Sequence, residues 1–525
     1  MARVRTASAI AVGAAALFFL SARPTTQQFG SITFPTSGAA AAQDAFLTGV
    51  KALHNFQFDE AAVIFKQAET ADPKFALAYW GEAMSHNHPL WAQQDVAKAK
   101  EALDRLAPSH EARLVLAKLP KEKALLEAQQ VLFFAPGDKL ARDIAYSNAM
   151  ARMSAQWPDD NEISILYALS LLGQVRPGDA GFRRQARAAS IAERIFKANP
   201  NHPGAAHFII HAFDDPDHAP LALDAANAYA KIAPSAAHAL HMPSHIYVQL
   251  GMWPQVAASN VDAYRAAVDL NAKMKLSEGR EDFHTLGWLG YANLMMGKTD
   301  DAKKNVDAAK AAADRNPDNR GIRDGYLGMR ARYIQETAQW EKLELPAPAA
   351  APAAGDHASM PGMSMPGMAM PGSATGVSEG SATWIYIVGV SAAKLGDRAT
   401  AEAALAQLKG IRERAQGSAN AYAARPHAIR EKQLAALIRA TQGQLDQAAV
   451  LAREAVDIEL TMAAPSGPPE PIKPAFELYG EILAEAGQHK EAAAAFEQAL
   501  LRTPNRTPSV KGLAQAQAKL KGSMD

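Results

Sequence analysis

Two histidine pairs with helical spacing are the residues of this 525-residue chain best suited to chemistry. His207 and His211 form one pair, and His241 and His245 form the other. An i, i+4 spacing places both imidazoles on one side of a helix, although Pro243 weakens the helix inside the second pair. The second pair follows the first by 34 residues at both positions. Imidazole suits zinc, copper, iron and nickel, so the four side chains predict a transition-metal site if they converge.

A second cluster of soft ligands lies in a segment rich in proline and glycine. Its members are His357, Met360, Met363, Met365, Met368 and Met370. Thioether sulfur selects Cu(I), and the segment resembles methionine-rich stretches of exported bacterial copper-handling proteins. Slippage of a short repeat is the alternative origin of the pattern. Proline and glycine at this density prevent a helix, so residues 346–382 are predicted to form a flexible linker.

The composition excludes several kinds of function. The chain has no cysteine, which excludes disulfide frameworks, thiolate zinc sites, iron–sulfur clusters and cysteine nucleophiles. Its 54 Lys and Arg residues balance 54 Asp and Glu residues, so we expect no nucleic-acid partner. Neither a nucleotide-binding glycine loop nor a nucleophile elbow is present. Soft-metal chemistry must therefore depend on histidine and methionine.

The first residues are typical of an export signal. Arg3 and Arg5 precede an uncharged, mostly apolar stretch at 7–20, which is short for a membrane span. We predict a signal peptide at 1–22, an unstructured leader at 23–42 and a periplasmic or secreted mature chain without a membrane span. An uncleaved membrane anchor is the alternative interpretation of the same residues.

Self-similarity indicates the elements that must position the histidines. One set of small and aromatic residues recurs with identical spacing near both ends of the chain: Gly49, Ala61, Phe65, Ala68 and Pro73, and then Gly480, Ala492, Phe496, Ala499 and Pro504. This pattern resembles the tetratricopeptide repeat (TPR), a helix–turn–helix unit. The resemblance predicts an all-α, TPR-like helical-repeat solenoid, or superhelix. Its two arrays would span 43–345 and 383–520, separated by a disordered insertion rich in methionine, proline and glycine.

The same resemblance implies where the other histidines lie. When Gly251 is aligned with the turn glycine of the repeat, His238, His241 and His245 fall at positions that line the concave groove in the family. Neighbouring frames place further histidines on that face. The predicted ligands are His54, His86, His207, His211, His238, His241, His245 and His284. The nearby acidic residues Asp214, Asp215 and Asp217 orient imidazoles, ligate the metal directly or are ordinary turn residues, and the turn is favoured for most of them.

Three functions remain open at this point. The first is an exported protein that binds a transition metal, copper above all and otherwise zinc or iron, for sequestration, delivery or sensing. The second is a metal-free scaffold whose concave groove takes a protein or peptide partner. The third is a histidine-ligated metalloenzyme, an oxidase or a hydrolase, but no base or nucleophile can be named for it. We expect binding rather than catalysis. The motif His-Met-Pro-Ser-His-Ile at 241–246 resembles one in exported bacterial repeat proteins of unassigned function.

Overall fold

The computed structural model describes residues 27–179, 181–348, 377–417 and 421–522. The predicted signal peptide and the methionine cluster lie outside these ranges. In the described chain, successive antiparallel helices stack side by side, and the strands amount to one two-stranded ribbon. The prediction of an all-α, TPR-like helical-repeat solenoid is therefore confirmed.

The helices are numbered here in chain order. Helices α1 to α8 span Ala40–His54, Phe58–Ala71, Ala76–Met84, Val96–Leu106, His110–Leu116, Pro120–Phe134, Lys139–Gln156 and Asn161–Leu172. Helices α9 to α17 span Arg183–Ala198, Pro203–Ala212, Leu223–Ile232, Ala237–His241, Pro243–Gln249, Trp253–Met274, Glu281–Met295, Thr299–Arg315 and Arg320–Thr337. Helices α18 to α24 span Glu379–Lys394, Arg398–Gln416, Ala424–Thr441, Leu445–Glu459, Ala475–Glu485, His489–Arg502 and Thr507–Gly522. Strands β1 and β2, Asn87–His88 and Gln93–Gln94, flank a 3₁₀ turn at Pro89–Trp91, and further 3₁₀ turns lie at Ala219–Ala222 and Ala421–Ala423.

The repeat glycines permit close packing of neighbouring helices around one phenylalanine. A Cβ atom added at Gly49 or Gly81 would lie within 3.0 Å of the ring of Phe65. The same arrangement recurs at the other end of the chain, where Phe496 fills the space left by Gly480 and Gly512. The sequence repeat thus corresponds to a repeated packing unit, in which neighbouring helix pairs bury their apolar faces jointly.

Replacing Gly81 by alanine should destabilise the protein by about 1–3 kcal/mol, because the added methyl group overpacks the core against Phe65. Gly328 in α17 is the matched control, since an added Cβ there meets no atom within 4 Å. Alanine at 328 should stabilise the helix by about 0.5–1 kcal/mol through its better helix propensity. Urea denaturation of both variants tests this difference, and a shift in the same direction for both would contradict it.

The leader is packed from residue 27 onward, contrary to the expectation that 23–42 is unstructured. Residues 27–39 form no helix, yet Phe29 and Phe34 are buried in the core. The backbone N–H of Ser31 donates a hydrogen bond to the carbonyl of Asn201 at 2.9 Å. Burial of two aromatic side chains stabilises this extended segment. Helix α1 also begins inside the predicted leader, and α18 begins inside the predicted linker.

The C-terminal repeats close against the middle of the chain. The indole Nε1–H of Trp253 donates to the carbonyl of Asn505 at 2.9 Å, and Arg506 donates to the hydroxyl of Tyr291 at 3.2 Å. Residues 460–474, the covering segment between α21 and α22, lie beside α13, where the amide of Gln249 donates to the carbonyl of Pro465 at 2.8 Å. The histidine side of the array therefore faces an interior and not the open groove that the repeat resemblance implied.

None of the helices in the described ranges is both long enough and apolar enough to cross a bilayer.

Candidate metal centre

The histidines of interest come from five neighbouring helices. Helix α10 carries His207 and His211, α12 carries His238 and His241, α13 carries His245, α15 carries His284, and α1 carries His54. Helices α12 and α13 are separated at Met242 because proline, which has no backbone N–H, is favoured at the first position of a new helix. The break expected from Pro243 therefore occurs, but it leaves the second histidine pair in contact.

The structure divides the predicted ligands into two groups of three. The first triad is His207, His211 and His238, and the second triad is His241, His245 and His284. Within each triad the candidate ligand atoms lie within 4.8 Å of one another. Each i, i+4 pair stays together and acquires a third histidine from elsewhere in the chain.

Hydrogen bonds determine which nitrogen carries the proton in the second triad. His241 Nδ1 lies 2.7 Å from Asn260 Oδ1, and His245 Nδ1 lies 2.7 Å from Asp214 Oδ2. Asn260 Nδ2 donates to the carbonyl of Val256 at 2.8 Å, which establishes that its Oδ1 is the acceptor. Both imidazoles therefore donate from Nδ1, so each neutral ring has an unprotonated Nε2.

These unprotonated nitrogens point at one another. His241 Nε2 lies 3.1 Å from His245 Nε2 and 2.8 Å from His284 Nε2. Two ligands at ~2.0–2.1 Å from a tetrahedral ion are about 3.3–3.4 Å apart, close to the 3.1 Å between the Nε2 atoms of His241 and His245. With both Nδ1 protons committed to oxygen acceptors, neither His241 nor His245 as a neutral ring can donate to the other. A cation between the two nitrogens would remove the repulsion of their lone pairs.

The first triad has the same kind of support. His207 Nδ1 donates to the carbonyl of His54 at 2.7 Å, and its Nε2 lies 3.2 Å from His238 Nε2. Among the described residues, the buried Nε2 of His211 has no hydrogen-bond partner. A buried polar atom left unpaired costs about 1–3 kcal/mol. A metal ion held by the three rings would satisfy this nitrogen.

Burial favours the neutral form of four of the six imidazoles. It is the main cause that lowers the pKa of His207, His211, His241 and His284 well below the usual value, and charges on neighbouring histidines lower it further. Metal ions bind the neutral imidazole and compete with protons for it. These four rings are therefore in the metal-binding form at neutral pH.

The metal-free protein should lose stability as the pH falls below about 6.5, the pKa of an unperturbed histidine. The folded-state pKa values of the buried rings are lower, so the unfolded chain takes up protons first and acid favours unfolding. Urea midpoints at about pH 7.5 and about pH 5.5 measure this loss. Replacing His207 and His241 by alanine should make the pH dependence shallower. An equal or higher midpoint at the acid pH would contradict the prediction.

A third group, formed by His54, Glu162 and His202, supports the first triad. Glu162 accepts from His54 Nε2 at 2.8 Å and from His202 Nε2 at 3.0 Å. Burial would raise the pKa of Glu162, but the hydrogen bonds from the two imidazoles lower it to about 2. Since His202 Nδ1 accepts from the N–H of Ala205, its proton lies on Nε2 and is donated to the carboxylate. The structure therefore places His54 beside the first triad, where its carbonyl orients His207.

The remaining predicted ligand, His86, lies away from both triads. It belongs to none of the groups of three potential ligands found in the described ranges. It sits next to β1, where its carbonyl accepts from the N–H of Asp95 at 2.9 Å. Burial lowers its pKa.

An aromatic wall covers the second triad. The ring of Trp288 lies 4.5 Å from that of His245 and 4.9 Å from that of His241, centroid to centroid. Gly467 of the covering segment packs on Trp288 so closely that a Cβ there would lie within 3.0 Å of the indole. The indole and the covering segment together shield His241 and His245 from solvent, while His284 remains partly exposed.

Sequence reasoning missed several of these supporting residues. Glu162 and His202 were not predicted as partners, and no spacing rule connects Asn260 with His241. Trp288 follows His284 at i+4, so its position on the same helix face could have been found. Asp214 was interpreted mainly as a turn residue, whereas the structure places its carboxylate on His245.

Comparison with known proteins finds distant similarity to several solved structures. No protein-family model and no curated protein matches the chain. The P58(IPK) TPR domain is 12% identical, with 92% of this chain and 99% of that chain covered and a TM-score of 0.22. Yeast Tom70 is 12% identical, with coverage of 92% and 96% and a TM-score of 0.34. The Rap protein complexed with competence and sporulation factor is 13% identical, with coverage of 77% and 100% and a TM-score of 0.32. Such distant likeness says nothing about what the histidines bind.

Proposed function

We propose that this protein binds transition metal ions, copper above all, in the buried site formed by the two histidine triads. The observation that carries the proposal is the pair His241 and His245. Oxygen acceptors hold the proton of each ring on Nδ1, and the two unprotonated Nε2 atoms lie 3.1 Å apart. Carboxylate or carbonyl acceptors behind histidine ligands are the usual second layer of a protein metal site.

The ligand set favours copper among the metals that imidazole binds. Nitrogen sites generally hold Cu(II) more tightly than the other divalent first-row ions, zinc included. The methionine cluster, which lies outside the described residues, would add thioether ligands for Cu(I). Zinc and iron are the alternatives. We further propose that the chain is exported, on the basis of its N-terminal sequence, and serves in sequestration, delivery or sensing.

The burial of four of the six triad histidines weighs against a peptide-binding role for them. His207, His238, His241 and His245 are all 2% exposed or less. A peptide would have to displace the covering segment to reach them, so a scaffold function would have to use other faces of the array. A metalloenzyme is the second candidate, because three imidazoles leave one position of a tetrahedral ion open to water or substrate.

Copper uptake by the purified full chain tests the proposal. Equilibrium dialysis against Cu(II), followed by metal analysis, should show tight binding by the wild type and strongly reduced binding by a variant with His241 and His245 changed to alanine. The matched control replaces His110 and His489, the first residues of α5 and α23, and should bind as the wild type does. A wild type that takes up neither copper nor zinc would refute a metal function.

A deletion tests whether the methionine cluster binds Cu(I). Deleting residues 356–372 should leave Cu(II) binding at the triads intact and reduce the uptake of Cu(I). Loss of Cu(II) binding on deletion would show that the methionine cluster, and not the histidine triads, holds this ion.

A further inference from the structure

The two triads are adjacent parts of one histidine cluster. The ring centroids of His211 and His245 are 6.1 Å apart, and those of His238 and His241 are 6.4 Å apart. Within the second triad, the rings of His245 and His284 are also 6.4 Å apart. The ring distances between the triads are thus no larger than the widest ring distance within the second triad. The six imidazoles therefore form a continuous cluster.

One ion cannot use all six rings. Three of them are fixed through Nδ1 to separate acceptors, the carbonyl of His54, Asn260 and Asp214. These bonds hold the Nε2 atoms of His207 and of the His241–His245 pair in different places. Each triad by itself has the three nitrogen ligands, with an open fourth position, that are typical of reactive metal sites. The arrangement therefore suits two ions better than one.

We propose that the cluster holds two metal ions, one in each triad, close enough to share a small oxygen-donor ligand such as hydroxide. This inference rests on the proposed function and specifies its site. A shared anion reduces the repulsion between the two cations. Asp214 accepts from His245 of the second triad, and Glu162 accepts from His54, whose carbonyl orients His207 of the first, so each carboxylate adds negative charge near one triad. Two-metal sites in proteins commonly have ions about 3.5–4 Å apart.

Two measurements on the full-length chain test the proposal. Zinc stoichiometry gives the number of sites, and the paramagnetic resonance of bound Cu(II) shows whether the two ions are coupled. Zinc suits imidazole, whereas thioethers select Cu(I), so zinc uptake should reach two ions per chain at the triads alone. With two Cu(II) ions bound at the triads, electron paramagnetic resonance should detect far fewer spins than copper atoms, because a shared ligand pairs the unpaired electrons.

Variants of each triad separate the two ions. Changing His211 or His284 to alanine should leave one zinc ion per chain, and the single remaining Cu(II) should give its full signal. Glutamine at the same positions is the second choice if alanine impairs folding, which circular dichroism reports. The control His218→Ala lies outside both triads, with its ring stacked on Phe182, and should retain two coupled ions.

The outcomes distinguish the inference from the proposal on which it rests. No bound metal in the wild type would overturn both. One ion per chain, or two Cu(II) ions whose spins are fully detected, would overturn the two-ion centre and leave metal binding standing. Two zinc ions with a weakened Cu(II) signal would support it.

Discussion

Changing Asp214 to leucine should weaken metal binding by about 10–100-fold, the usual cost of removing an acceptor behind a histidine ligand. The carboxylate receives the Nδ1 proton of His245 at 2.7 Å, and its side chain is only 8% exposed. Without it the proton can move to Nε2, the atom that would bind the ion, and the ring is free to turn. Competition with a chelator of known affinity, at constant pH, measures the loss.

Asp217 provides the matched control in the same loop. Its side chain is exposed, and it lies three residues from Asp214. The Asp217→Leu variant removes the same charge from the surface and should bind metal as the wild type does. Equal affinities for the two variants would show that the loop charge has no specific role and would remove Asp214 from the site.

Changing Arg506 to methionine should destabilise the folded protein by about 3–5 kcal/mol, the cost of leaving buried charges without their partner. Arg506 and Glu477 are fully buried, and Glu336 is 3% exposed. The guanidinium bonds both carboxylates and also the hydroxyl of Tyr291 in α15. Its loss should therefore loosen the contact between the C-terminal repeats and the helix that carries His284. Urea denaturation gives the free-energy change.

An exposed ion pair provides the control for the arginine-to-methionine substitution at a buried site. Arg453 pairs with Asp457 one helical turn away, and their side chains are 54% and 56% exposed. Arg453→Met should change stability by no more than about 0.5 kcal/mol, as surface pairs usually do. A comparably small effect at Arg506 would mean that the closing contact contributes little to the fold.

The rate of metal release should depend on the contact that Arg506 makes. If the Arg506 contact keeps the second triad covered, the Arg506→Met variant should release metal to a chelator faster than the wild type, while Arg453→Met should not. Unchanged release would show that the covering segment shields the triad without help from the C-terminal repeats.

Much of the fold followed from local features of the sequence. The recurrence of Gly49 and Phe65 as Gly480 and Phe496 predicted a packing unit that the structure contains at both ends of the chain. The i, i+4 spacing also predicted that each histidine pair would stay together, and it does even where Pro243 divides the helix. Such features depend on interactions within a turn or a repeat, so a single stretch of sequence determines them.

The composition of the centre depended on contacts between residues far apart in the chain. His284 joins His241 from 43 residues away, and the carbonyl of His54 orients His207 from 153 residues away. The covering segment reaches Gln249 across 216 residues. The sequence by itself determined which residues have the chemistry of a metal site and which helix face carries each pair. Only the packing of the whole chain decided how those faces meet, because close packing of all the helices at once sets the distances between them.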